Sequence, residues 1–240
     1  MTPRREQILE LVVIEYTESA LPVSSFQLCQ KYDLPYSSAT IRNEFAVLEQ
    51  EGYLSQMHSS SGRIPTDMGF RYYVNQLRGK NTVLEQYAQV AYQLMREFHT
   101  MTEIHSKLQK LLLSMAQESR SVTMGKLSSD LVVEEGVHSF LEQPYFSSLE
   151  FIHQALSDLQ EVKHHIDDIG KSVGKGSYEL YIGDENPLEP MRKYSMIVGR
   201  CEIDGDDGTI IMIGPKGMQY DKNLALIEYV LNPDDYEEQE

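Results

Sequence analysis

The chain is poor in three things. It has two cysteines in 240 residues, Cys29 and Cys201, far apart and in no C-x-x-C pair, which excludes a disulfide framework and a thiolate zinc site. It has no apolar run near the roughly 20 residues that cross a bilayer, and Glu6, Glu10 and Glu15 interrupt its first segment, unlike a secretory leader. It is also short of positive charge, with 21 Lys and Arg facing 37 Asp and Glu for a net of -16. Taken whole, that deficit argues against a polyanion partner, because phosphate contacts need cations, and against an anionic membrane surface. There are no repeats and no low-complexity tracts. The absences describe a reduced, cytoplasmic, acidic chain with length for one large domain or two ordinary ones.

The deficit is not evenly spread. Residues 1–80 hold eight cations (Arg4, Arg5, Lys31, Arg42, Arg63, Arg71, Arg78 and Lys80) against nine carboxylates, a net of -1, so the remainder carries -15. Such asymmetry says more than the total. The acidic end, from Pro233 to Glu240, reads as a solvated tail.

Periodicity divides the same chain into helices followed by a mixed portion, an α+β arrangement of separate domains. Residues 4–19 are helical and stop before Leu21-Pro22; Ser24 or Ser25 caps a second helix; Ser37 or Ser38 caps a third that ends at Gly52. In the third, Ile41, Phe45 and Leu48 form an inward stripe. A strand-like run at 53–58, a Ser-Ser-Ser-Gly tip and Arg63-Ile64-Pro65 read as a hairpin, with Thr66 capping a fourth helix. From Leu84 to Met115, apolar residues recur in steps of three and four without Pro or Gly, which predicts one helix extending roughly 50 Å. Strands are expected within 119–135, a helix from about Ser147, a flexible connection over 170–176, and a strand at 178–182. Asn186-Pro187-Leu188-Glu189 predicts a capped helix start. Strands at 194–203 and 208–213 flank a five-residue turn, and 219–231 is a closing helix.

Helix, short turn, helix and hairpin in that order is the winged form of the helix-turn-helix. Ser37, Ser38, Thr40, Arg42 and Asn43 then lie near the N-terminus of the third helix, the end that such modules present to the major groove. There Arg pairs with guanine and Asn with adenine, while Ser37, Ser38 and first-turn N–H groups suit phosphate. In the wing, Ser61 offers a hydroxyl, Gly62 allows close backbone approach, and Arg63 is placed to enter a minor groove. Two other readings stay open: a winged-helix regulator whose C-terminal domain answers a small ligand, and a winged module that binds protein rather than DNA.

Several runs resemble the HrcA family of bacterial heat-inducible transcription repressors. They are Ser37 to Glu44, Leu48 to Leu54, His58 to Pro65, Gly69 to Val74, Phe140 to Phe146, Tyr181 to Leu188 and Ile213 to Met218. The resemblance implies a homodimer on an inverted-repeat operator upstream of chaperone and chaperonin genes, supported by a GroEL-type chaperonin. It also implies a GAF-like body carrying an inserted dimerisation domain. This sequence departs from that pattern between Met124 and Val133, where it passes almost directly to the segment that follows the insert. The insert and several body strands are therefore expected to be missing, and the 84–116 helix is open either to serve as a substitute interface or to pack on the chain's own C-terminal domain.

Other constellations carry less. Gly170 to Ser177 lacks the Walker spacing, and Glu161, His164, His165 and Asp168 are two pairs on a helix face with nothing else converging. No nucleophile–base set is identifiable, and no cofactor or metal is implied. The organisation expected is a DNA-binding domain over 1–80, a helical linker over 81–118 and a reduced GAF-like domain over 119–240.

Overall fold

The computed structural model describes residues 1–58, 61–77, 87, 90, 103–127, 131–146, 148–203 and 205–232. It divides into two compact units, Met1–Gly79 and Lys80–Glu240.

In the first unit, helix α1 (Pro3–Ser19) starts where Thr2 accepts the Arg5 N–H and Pro3 takes a first-turn position that needs no donor. Helix α2 (Ser25–Lys31) is capped by Ser24 and helix α3 (Ser38–Gln50) by Ser37. Strands β1 (Leu54–Ser55) and β2 (Ile64–Pro65) form an antiparallel hairpin, and helix α4 (Asp67–Leu77) follows, with Thr66 accepting from the Gly69 N–H. Ile8, Leu9, Val12, Leu28, Ile41, Phe45, Leu48, Phe70 and Val74 make the core.

Two buried carboxylates cross-link the helices. Glu15 of α1 accepts from Tyr32 Oη (2.6 Å) and Gln27 Nε2 (3.2 Å) and pairs with Lys31 (2.6 Å). Glu44 of α3 pairs with Arg4 and with Arg5 Nε (2.8 Å). Burial pushes the Glu15 carboxyl up, but the bonds from Lys31, Tyr32 and Gln27 outweigh it and leave Glu15 below the ordinary value. Bonds from Arg5 and Arg4 hold Glu44 low against burial in the same way.

The second unit is built on a five-stranded antiparallel sheet in the order β4-β3-β7-β6-β5. Its strands are β3 (Val122–Lys126), β4 (Val132–Glu135), β5 (Tyr178–Ile182), β6 (Tyr194–Ile203) and β7 (Asp206–Pro215). Helix α5 (Ile104–Ser119) precedes the sheet, α6 (Val137–Leu141) and α7 (Leu149–Lys171) follow β4, and α8 (Tyr220–Leu231) follows β7. Val122, Met124, Met196, Val198, Ile211 and Ile213 face one way and pack with Ala155, Leu159, Val162, Ile166 and Ile169 of α7. On the other side, a Cβ at Gly125 would meet Leu108 and Leu112 of α5, and one at Gly199 would meet Ile227 and Leu231 of α8. Both faces of the central strands are thus covered, which is why β6 and β7 are nearly continuous apolar runs rather than alternating ones. Each fully buried Ile or Met in them stabilises by about 1.5–3 kcal/mol.

Several expectations change in detail. Glu103 is extended (φ -96°, ψ 120°) and α5 begins only at Ile104, so no single helix runs from 84 to 116. Most of the 84–102 part lies outside the described residues. The α5 stripe of Leu108, Leu111, Leu112 and Met115 is buried and packs on β3 and β4, so of the two uses open to the apolar seam, a second chain or this chain's own C-terminal domain, the α5 part takes the second. Asn186 does not cap a helix. It is buried, and its Nδ2 donates to Gly183 O and Tyr194 O, while a 3-10 turn begins at Glu189. The β6–β7 connection is shorter than expected, since Ile203 pairs with Asp206 and Gly205 has φ +88°. Residue 170 continues α7 rather than opening a flexible connection. Where the family's insert is expected, β3 and β4 pair directly with each other as neighbours.

Candidate nucleic-acid interface

The candidate surface begins with the way α3 is seated. Ile41, Glu44, Phe45 and Leu48 are buried, which fixes the rotation of the helix and leaves Ala39, Arg42, Asn43, Ala46 and Gln50 exposed. Those positions are spaced three and four apart and form one outer stripe. It carries two long polar side chains between two alanines, so the backbone has little standing between it and a partner. Projection opposite Ile41 and Phe45 would have found Ala39, Ala46 and Gln50, which residue chemistry alone passes over.

The polar side chains at the start of α3 are partly committed. Ser37 Oγ accepts the Thr40 N–H (3.2 Å) and lies 3.0 Å from Thr40 Oγ1; Ser38 Oγ lies 2.9 Å from Ser25 Oγ, joining the first turns of α2 and α3. Ser37 is exposed, and Ser38 and Thr40 are half-buried. Arg42 and Asn43 are exposed and have no side-chain partner.

The charges around them sharpen the point. Arg4 and Arg5 pair with Glu44, Lys31 with Glu15 and Glu18, Arg63 with Glu49, and Arg71 is also engaged. Among the described residues of this unit, Arg42 is the one Lys or Arg left without a partner. The near-neutral count of the N-terminal segment is therefore realised as internal pairs, with one cation spare on the exposed stripe.

The hairpin is held at its stem. Arg63 N and O bond Val23 O and N, both at 2.8 Å, an isolated antiparallel bridge just ahead of β2. The Ser61 hydroxyl closes the turn by accepting the His58 N–H (3.0 Å) and donating to His58 O (2.8 Å), and Gln56 Nε2 donates to Ser61 O. Ser59 and Ser60 lie outside the described residues. The close approach expected of Gly62 is made within the protein, since a Cβ there would fall 2.5 Å from Val23 C and O. The Arg63 side chain, expected to enter a groove, is only 15% exposed and its Nη2 lies 2.9 Å from Glu49 Oε2. The structure therefore brings Ser37, Ser38, Thr40, Arg42 and Asn43 to one end of α3, and sets Ser61, Gly62 and Arg63 in a stem beside its other half.

Elsewhere the chemistry is sparse. No group of three or more His, Cys, Asp or Glu among the described residues is placed to hold a metal ion. No helix among them is long and apolar enough to cross a membrane. An open cavity of about 460 Å³ is lined by Gln154, Asp158, Glu189, Pro190, Arg192 and Lys193. Its buried charge, Asp158, already takes bonds from Gln154 (2.7 Å), Tyr194 Oη (3.2 Å) and Lys193 (3.5 Å), leaving little for a small ligand to satisfy.

Comparison with known proteins gives this surface a setting. A family model described as "HrcA protein C terminal domain" matches residues 70–224. The heat-inducible transcription repressor HrcA of Roseiflexus castenholzii is 25% identical, covering 96% of this chain and 92% of its own. That alignment runs over 331 residues against a chain of 240, so the relative has about 90 or more residues with no counterpart here. The protein of the same name from Desulforudis audaxviator is 49% identical over 83 residues, covering 35% of this chain and 24% of its own. A crystal structure of a hypothetical protein superposes with a TM-score of 0.73 at 19% identity, covering 98% of both chains, and shares the fold.

Proposed function

The chain belongs to the HrcA family, and on that premise we propose that it is a transcription repressor that reads duplex DNA with α3 in the major groove and the β1–β2 hairpin as a wing. The first unit is then a winged helix-turn-helix. The second is a reduced GAF-like regulatory body that begins with α5 rather than at residue 119. Repression follows from occupancy of a promoter, and the family is one of regulators, not enzymes.

One observation carries the reading: Arg42 is exposed and unpaired on a stripe otherwise made of Ala39, Asn43, Ala46 and Gln50, while the unit's other described cations are engaged. A guanidinium in that position matches guanine O6 and N7, and the neighbouring Asn43 amide matches adenine N6 and N7. The first-turn N–H groups of Ser38 and Ala39 have no helical acceptor and suit a phosphate. Small residues on either side let the helix sink into the groove.

The operator is an inverted repeat occupied by a homodimer, each module reading one half-site and the bodies setting the spacing. The regulated genes encode chaperones and chaperonin, and a GroEL-type chaperonin is the protein partner. Support for these assignments is the family and the name its relatives carry. The body's negative charge repels phosphate and keeps nonspecific binding weak, so occupancy rests on base contacts.

The test is selection of duplexes by the full chain from a randomised pool, followed by footprinting upstream of the chaperonin operon. An enriched inverted repeat found in that promoter is expected. Failure to enrich any duplex ends the DNA reading.

A further inference from the structure

The stem of the hairpin is tied to α3 at a telling place. Glu49 lies seven residues beyond Arg42, two helical turns along nearly the same line of the helix surface. Its carboxylate therefore sits beside the exposed stripe, where an unpaired negative charge would face the phosphates of any DNA that Arg42 reaches. Arg63 Nη2 lies 2.9 Å from Glu49 Oε2, its side chain is 15% exposed, and its Nε is buried in the stem. The backbone of Arg63 is held at the same time by both bonds to Val23, and Gly62 packs against the Val23 carbonyl with no room for a Cβ. Val23 immediately precedes the cap of α2. One residue thus joins the wing, the entry to α2 and the reading face of α3.

We infer that Arg63 is a positioning residue: paired with Glu49, it fixes the angle between the wing and α3 and neutralises a carboxylate on the reading face, and it does not itself enter a groove. The inference rests on the DNA-binding reading above and deepens it. An arginine free to reach DNA would sit at the tip with its guanidinium in solvent, as Arg42 does on α3. Arg63 instead spends its charge inside the module.

Two substitutions separate positioning from contact, measured on the duplex selected by the full chain and at a temperature where circular dichroism shows every variant folded. Removing a carboxylate beside DNA strengthens binding by electrostatics alone, and more so if it also frees an arginine for the groove. If the pair positions the wing, Glu49→Ala weakens binding instead, by about tenfold, and Arg63→Ala weakens it similarly, with the double variant no worse than either. The dependence of log affinity on log salt keeps its slope in Arg63→Ala, whereas loss of a phosphate contact flattens it by about 0.9. Tighter binding by Glu49→Ala, or a flattened slope in Arg63→Ala, overturns the inference while leaving the DNA reading intact. A pool that yields no duplex overturns both. Glu49→Ala changes a half-buried helix position and favours the helix, so the test does not depend on Arg63→Ala alone.

Discussion

The two units are held together by different means. In the first, three short helices are cross-linked by Glu15 and Glu44, each buried and each bonded to side chains of a neighbouring helix. In the second, strands covered on both faces supply a continuous apolar core, and carboxylates lie mostly outside it. The difference teaches where charge is free to act. A small module that uses its cations to hold its helices has few left for a partner, so Arg42, unpaired among the described residues, is informative. The sheet domain also ties down a buried carboxylate, Asp158, but its apolar core does most of the holding, and it can carry a surplus of acid on its surface.

The comparison breaks most easily at the sheet. Ile211 is fully buried in β7 between β3 and β6, and Ile211→Ala should cost about 2–5 kcal/mol through lost burial and a cavity. Hydrogen exchange of the β6 and β7 amides measures it, and near-native protection would show that the apolar core is not what holds this unit. The corresponding break in the first unit is Glu15→Ala, which strands the Tyr32 hydroxyl and Lys31 and should cost about 1–3 kcal/mol, read in the amides of α1 and α2.

Acid should sharpen the same contrast. Glu15 and Glu44 are held below the ordinary carboxyl value in the folded protein, so their contribution is complete above that ordinary value and is lost as pH falls through the lower folded values. The first unit should therefore lose protection on acidification in that window, and Glu15→Gln with Glu44→Gln should remove most of the dependence. An unchanged acid profile in that double variant would mean other groups set it.

A third comparison is within the first unit. Arg42→Ala should leave the melting temperature unchanged and cost about 1–3 kcal/mol of discrimination at one operator position, measured by titration against single-base variants of the selected duplex. Loss of binding uniform over all sequences would instead make Arg42 a phosphate contact. The smallest effect concerns the thiols. Burial pushes the Cys201 thiol up to about 12, while Cys29 is half-buried, so a thiol reagent at mild alkaline pH should label Cys29 first. Equal labelling rates would show that the β6 end of the sheet opens readily.

Much of the local structure was legible because its causes are local. Ser24 and Ser37 cap helices as short polar residues ahead of apolar runs do, and Ile41, Phe45 and Leu48 set the buried side of α3. The exposed stripe followed from that side, since Arg42 and Asn43 fall on the other. Misreadings arose where a distant partner decides. Arg63 looked like a free wing arginine because nothing nearby in sequence marks Glu49 as its acceptor. Asn186 looked like a cap because Tyr194 O, which it binds, is eight residues away across a 3-10 turn. The heptad-like seam fitted a second chain and the chain's own C-terminal domain equally well, because the sheet that covers its α5 half lies later in the chain.

By itself, the sequence determined the order of the elements, the division of charge between a near-neutral N-terminal segment and an acidic remainder, and the family, because periodicity, capping and motif spacing are properties of neighbouring residues. Only the tertiary structure decided which charges are spent. Pairing depends on distances between elements that the chain brings together after folding, and there Arg63 is paired with Glu49 while Arg42 is left exposed.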